Sequence, residues 1–387
     1  MTPSPRIARR IALGLVWAAT SLVGTSQAAP ETPLVVAAAL DQAVVQPLLD
    51  GFVAAHPDIA LDYQDLSTHD VNARIEDPAN PPDVVISSAM PAQMAQVNAG
   101  FALPLSSRET RAWPERAKWR NEVFGFTFEP IVFAYRRDLA RRIAAPDSHG
   151  ALFRALQTDN SLLQGRIALY NPNRSAIGYA LYQSDANYSA RFWPLIASLG
   201  DANAQSVDNT QIMLDGLSSG RFVFAYDLIG SYALRWAQRH PEVVVVVPRD
   251  YALVLSRMVF VHKGARHIQA AARFVDFLLS HAGQQILAHD TPLFSLREDV
   301  SGPYSARQLR AEVGDHLYPI PIDAGLLAIA DPQARGDFLA RWQREFSTHE
   351  NAGTKAGVES PHSGSAADQN GISSSRSSSK PGSPAGG

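Results

Sequence analysis

What most constrains this chain is the order in which its apolar residues change period. Residues 34–40 (LVVAAAL) form a continuous apolar run, the pattern of a strand covered on both faces. Val45, Leu48, Leu49, Phe52 and Val53 then follow the i, i+3, i+4 spacing of an amphipathic helix. Ile59, Leu61 and Tyr63 alternate as a second strand, and residues 83–87 (DVVIS) read as a third. Met94 and Val97 lie on a helix that Gly100 terminates. This succession predicts a parallel sheet with helices on its faces, an α/β fold.

A second series follows. Residues 124–135 (FGFTFEPIVFAY) are aromatic and β-branched, and Pro130 among them predicts a bend or an edge position. Such a strand is a natural exit from one lobe into another. Beyond it come a strand at 166–170, helices near 175–186, 188–199 and 209–218, a strand at 222–226, a helix near 229–239 and a strand at 243–247. Residues 252–262 are strand-like again. Residues 268–279 form an amphipathic helix, and Phe338, Trp342 and Phe346 mark a last one. The layout predicts two α/β lobes, with the chain crossing near 130 and again near 250.

The two ends read differently. Arg6, Arg9 and Arg10 precede an apolar run at 11–23, and Ser26-Gln27-Ala28 matches an A-x-A-like cleavage site. The run is far shorter than the ~20 residues a membrane-crossing helix needs. Residues 1–28 are therefore expected to be a cleaved signal peptide, with the remainder exported to a bacterial periplasm. Residues 347–387 are mostly Ser, Gly, Pro and Ala, and are expected to be a disordered tail. The folded part divides into residues 29–132 (first part of lobe one), 133–250 (lobe two) and 251–346 (lobe one again, with the C-terminal helices).

Charge and composition exclude several functions. The net charge is −3, and losing three basic and no acidic residues with the signal peptide leaves −6. Without a basic tract, nucleic acid is not an expected partner. There is no cysteine among the 387 residues, which removes disulfides, thiolate nucleophiles and Cys-based metal sites. Walker, G-x-G-x-x-G and H-E-x-x-H patterns are missing. Residues 216–220 (GLSSG) match G-x-S-x-G, but a helix precedes Ser218 and a strand follows, the reverse of a nucleophile elbow. The eleven histidines are scattered without metal spacing. No enzyme activity, cofactor or metal is expected.

Polar residues instead collect at the C-terminal ends of predicted strands, where open α/β sheets bind ligands. Ser87 and Ser88 follow DVVIS. Asn173, Arg174 and Ser175 follow RIALY and precede a helix, with Gly178 allowing close approach. Residues 227–232 (DLIGSY) follow FVFAY in the same manner. Each residue could be only a helix cap. Three such loops in one chain point to a shared cleft, and helix starts with an arginine among them suit an anion.

These segments resemble a known family. DVVISSAM (83–90), NAG (98–100), FGFTFEPIVFAYRRDL (124–139), YNPNRSAIGYALYQSD (170–185) and SRMVFVHKGARHIQAAARFVDFLLSHAGQQILA (256–288) are similar to bacterial periplasmic solute-binding proteins with two crossovers (type II). The resemblance implies two lobes that close on a small ligand and pass it to an inner-membrane ABC permease. In the ferric-binding branch an adjacent tyrosine pair stands where this chain has Ser231-Tyr232, so iron through Tyr226 and Tyr232 is an alternative. The phosphoglycerate and sugar-phosphate branch is nearer, and some of its members work with a membrane sensor histidine kinase. It implies a monomeric receptor for a small anionic metabolite, phosphorylated or carboxylated. The expected ligand-binding residues are Ser87, Ser88, Thr127, Glu129, Asn173, Arg174, Ser175, Tyr226, Ser231, Tyr232 and Arg257, with Arg257 facing an acid group and Thr127 and Glu129 at the first crossing.

Overall fold

A computed structural model describes residues 33–158 and 161–347. The expected signal peptide and the tail beyond Ser347 lie outside the described residues. The strands are Leu34–Ala38 (β1), Leu61–Asp65 (β2), Val84–Ser87 (β3), Lys118–Trp119 (β4), Val123–Gly125 (β5), Glu129–Arg136 (β6), Ile167–Tyr170 (β7), Gln205–Val207 (β8), Phe224–Ile229 (β9), Val243–Val246 (β10), Ala252–Leu255 (β11), Met258–Val261 (β12) and Leu317–Pro319 (β13).

They form two sheets with helices packed on them. The first has the order β2-β1-β3-β12-β5-β4 and the second β13-β11-β6-β9-β7-β8, with β10 also on β6. In β1 four of five side chains are fully buried, which requires helices on both faces. Gln42–Ala55 covers one of them through Val44, Val45, Leu48, Leu49 and Phe52, while Val53 is left exposed. A helix that the apolar pattern did not mark, Thr68–Glu76, joins β2 to β3.

Both sheets are mixed rather than mostly parallel. β1 pairs in parallel with β2 and β3, but β12 arrives from the other lobe and runs antiparallel to β3, with Met258 opposite Ser87. The chain crosses directly from strand to strand twice, from β5 to β6 through residues 126–128 and back from β11 to β12 through residues 256–257, and passes to the second sheet once more between β12 and β13. Pro130 is not at a sheet edge. It is the second residue of β6, an interior strand, and the ladder to β9 begins only at Ile131, so the missing N–H interrupts little.

The C-terminal region departs from its expected assignment to lobe one. β11 and β13 belong to the second sheet, and Pro332–Phe346 packs on Phe192–Asp201 of lobe two. The cause is aromatic: Trp342 stacks on Tyr182 at 4.8 Å and Phe338 meets Tyr179 and Trp193. The short helix Ala324–Ala330 lies instead against Met90–Asn98 of lobe one.

Candidate functional site

Between the sheets lies an open cleft of about 770 Å³. Lobe one contributes Ala39, Leu40 and Asp41 before helix Gln42–Ala55, Ser67 to His69 at the start of Thr68–Glu76, and Ser88 before Met90–Asn98. Lobe two contributes Arg174 and Ser175 before Ala176–Tyr188, Asp208 and Asn209 before Thr210–Ser219, and Ile229 and Tyr232 at the start of Gly230–Arg239. Each of these six helices follows a strand, so their N-terminal ends gather where the strands end.

That gathering has an electrostatic consequence. The first N–H groups of a helix lack intrahelical acceptors, and the macrodipole adds partial positive charge. Side chains cap only part of them. Ser67 Oγ accepts from the Asp70 N–H at 3.1 Å, Ser175 Oγ from the Gly178 N–H at 3.1 Å, and Asn209 Oδ1 from the Ile212 N–H at 3.0 Å. Each cap takes a donor in the third helical position, which leaves the two N–H groups before it for solvent or a ligand. Gly178 is required here: a Cβ would run into Tyr170 Cβ, so only glycine lets this helix start sit so close to β7.

Arg257 is the buried charge of the site, its side chain 1% exposed. Its Nε donates to Glu129 Oε1 at 2.9 Å, one terminal nitrogen donates to the Ala39 carbonyl at 2.8 Å, and its guanidinium lies 5.3 Å from the Tyr232 ring centre. Thr127 Oγ1 donates to Glu129 Oε1 at 2.9 Å and accepts the Arg257 N–H at 2.8 Å, while the Ser231 hydroxyl donates to Glu129 Oε2. Burial pulls the Arg257 pKa down, but the adjacent Glu129 outweighs it and holds the group above its ordinary value, charged. Burial raises the Tyr232 hydroxyl, with Arg257 opposing. Asp41 is raised by burial and by Asp65 beside it. Arg174 pairs with Asp208 at 2.7 Å, both side chains about half exposed.

Of the residues expected from sequence, Ser88, Arg174, Ser175, Tyr232 and Arg257 line the cleft. Thr127, Glu129 and Ser231 are fully buried behind it, holding Arg257 rather than facing the opening. Ser87 is buried at the end of β3, where its Oγ accepts from the Ala89 N–H. Asn173 is exposed and lies outside the cleft lining. Tyr226 is a clear departure. The expected polar loop at 227–232 does not exist, because Leu228 and Ile229 continue β9 against β6 and helix Gly230–Arg239 starts at once. Tyr226 therefore stays in the core of lobe two, 0% exposed, its hydroxyl donating to Asp185 Oδ2 at 2.8 Å.

Sequence reasoning missed Asp41, Asp65, Ser67, His69, Asn72, Asp208, Asn209 and Arg335, all in the lining. Two carried a usable signal. Ser67 followed three residues later by Asp70 is a helix-start signature, and Asn209 heads a helix already expected from its apolar spacing.

The family model for bacterial extracellular solute-binding proteins matches residues 34–290. Among solved structures, the substrate-binding protein of an ABC transporter from Agrobacterium tumefaciens is 32% identical, with a TM-score of 0.77 over 84% of this chain and 96% of that one. AfuA from Actinobacillus pleuropneumoniae, with exogenous fructose-6-phosphate bound, shares the fold at 17% identity and a TM-score of 0.62, covering 81% of this chain and 98% of its own. Iron-bound HitA from Pseudomonas aeruginosa does so at 16% identity and 0.61, covering 81% and 99%. No curated protein matches. With two mixed sheets joined by direct crossings at 126–128 and 256–257, a cleft between them and a family match over most of its length, this chain belongs to the bacterial extracellular solute-binding proteins, which serve ABC transporters by binding small ligands.

Proposed function

We propose that the protein captures a small anionic metabolite, phosphorylated or carboxylated, between its lobes in the periplasm and delivers it to an ABC permease. The observation that carries this reading is the convergence of six helix N-termini on one cleft that also holds Arg174 and Arg257. Backbone N–H groups and guanidinium forks are the donors that phosphate and carboxylate oxygens take best. Asp41, Asp65 and Asp208 add acceptors suited to hydroxyl groups elsewhere on the ligand. An extracytoplasmic location follows from the family, and among the described residues no helix is long and apolar enough to cross a membrane. Ferric iron is the poorer reading, because of the two tyrosines expected to hold it Tyr226 is locked in the core and only Tyr232 reaches the cleft.

The test is a thermal-shift panel on the mature protein, unfolded and refolded to strip carried-over ligand. It includes phosphoglycerates, hexose phosphates, di- and tricarboxylates, inorganic phosphate, and Fe³⁺ with a carrier anion. A ligand at 100 times its Kd adds about 2.7 kcal/mol. For about 310 folded residues that is roughly a 4 °C rise in Tm. A rise with an organic anion is expected. A rise with Fe³⁺ alone would overturn the proposal.

A further inference from the structure

One cation in the cleft comes from outside the family match, which ends at residue 290. It is Arg335, on the last described helix Pro332–Phe346. The surroundings hold it in place from both lobes. Helix Ala324–Ala330, just before it, packs on Met90–Asn98 of lobe one, and Pro332–Phe346 packs on Phe192–Asp201 of lobe two. Tyr179 binds the junction: its hydroxyl donates to the Ile329 carbonyl at 2.7 Å, and its ring centre lies 4.9 Å from the Arg335 guanidinium. An aromatic face of this kind fixes a guanidinium while leaving its edge donors available.

Two independent observations separate Arg335 from a structural arginine. The first is charge pairing. Arg174 faces Asp208 at 2.7 Å and Arg257 faces Glu129 at 2.9 Å, whereas among the described residues Arg335 has no carboxylate within ion-pair distance. The second is position. Arg335 lies in the first turn after Pro332, where the helix dipole favours an acid and opposes a cation. A cation that opposes its own helix, has an aromatic face but no carboxylate beside it, and borders a cleft of this size is placed for charge brought in from solution.

We infer that Arg335 is a ligand-binding residue that pairs with an anionic group of the ligand, and that the C-terminal helix pair is thereby part of the binding site. The inference rests on the anionic-ligand reading above. It makes Arg335 a determinant of specificity, selecting charged ligands over neutral analogues of the same skeleton.

The experiment uses the full mature chain and isothermal titration with glucose 6-phosphate, 3-phosphoglycerate and citrate, continuing with the tightest binder. Arg335→Gln should weaken it about 10- to 100-fold and lessen its sensitivity to added NaCl. Arg335→Lys, which keeps the charge, should recover much of the loss. Arg341→Gln, further along the same helix with its guanidinium over Trp193, should leave affinity unchanged. Circular dichroism melts of each variant report folding separately. Wild-type binding with Arg335→Gln within twofold of it would overturn this inference alone. Failure of all three anions to bind the wild type would overturn the anionic-ligand reading and this inference with it.

Discussion

Replacing Glu129 by alanine leaves a guanidinium charged and sealed in the protein without its counter-ion. The pair has an N–O distance of 2.9 Å and side-chain exposures of 0% and 1%, so neither partner can turn to water. Removing one half of such a pair costs about 3–5 kcal/mol, because the remaining charge keeps its desolvation penalty and loses the attraction that offset it. The Thr127 and Ser231 hydroxyls lose their acceptor as well, which favours the upper half of that range. An unfolding entropy of about 2.1 cal/mol/K per residue over about 310 residues gives roughly 0.65 kcal/mol/K, so Tm should fall by about 5–8 °C. Calorimetry and urea unfolding at pH 7 measure it. Two comparisons isolate the cause. Asp208→Ala, which removes the half-exposed pair with Arg174, should cost under about 1 kcal/mol. The double change Glu129→Leu with Arg257→Met should recover most of the loss, since apolar groups of similar volume need no counter-ion. A loss below about 1 kcal/mol for Glu129→Ala would show that water reaches the crossing and that the pair is not sealed.

Other residues give further expectations. Asp83 accepts from the Val35, Arg266 and His267 N–H groups at 2.9, 2.7 and 2.9 Å, and these bonds outweigh burial to hold its carboxyl below the usual range. A depressed pKa contributes stability above about pH 4 that is lost as pH falls through the folded value, so the wild-type advantage over Asp83→Asn, about 1–3 kcal/mol at pH 7, should shrink below pH 4. An advantage that stayed constant down to pH 3 would contradict this. Asp227 is the opposite case, raised well above its ordinary value by burial and then by Asp185. A raised carboxyl loses stability as pH climbs from about 4 toward the folded value, so Asp227→Asn should gain on the wild type in melts as pH rises above about 4, and asparagine tolerates its φ of 58°. Gly178→Ala should cost about 1–3 kcal/mol in urea unfolding and weaken anion binding, because the clash with Tyr170 pushes the Ser175 helix start off β7. Full stability in that variant would mean the helix start can yield.

The elements were legible where a period extends over many residues. Residues 268–279 were expected as a helix and Ile268–Leu279 is one, with Ala271, Phe274, Val275 and Leu278 on its buried side. The two crossings were legible from FGFTFEP and from the strand-like run at 252–262, though not the break at Ser256 and Arg257 that turns that run into β11 and β12. The cleft was half legible. Ser175 and Arg174 stand directly between a strand and a helix, a junction visible locally. Tyr226 misled because FVFAY has a strand pattern that does not say where the strand ends, and two further apolar residues kept it running. Arg335 left no local trace, since only the docking of Pro332–Phe346 on lobe two, more than 40 residues beyond the family match, brings it to the cleft.

The location of the buried pair also limits how the lobes can move around a ligand. Arg257 is held by Ala39 at the foot of lobe one, by Glu129 on the outgoing crossing, and, through Glu129, by Ser231 at a helix start of lobe two. The two crossings are further joined by the Phe126 N–H to the Arg257 carbonyl at 2.9 Å and the Ser256 hydroxyl to the Thr127 carbonyl. Opening the cleft by pulling these crossings apart would strand a buried charge, at the several kcal/mol that the Glu129→Ala experiment measures. Rotation that keeps the crossings together avoids that cost entirely. If the lobes close on a ligand as proposed, these contacts favour a turn that keeps Arg257 and Glu129 together. Arg335 lines the same cleft from a helix pair that packs on both lobes, Ala324–Ala330 on lobe one and Pro332–Phe346 on lobe two, so that pair too must be accommodated by any such turn.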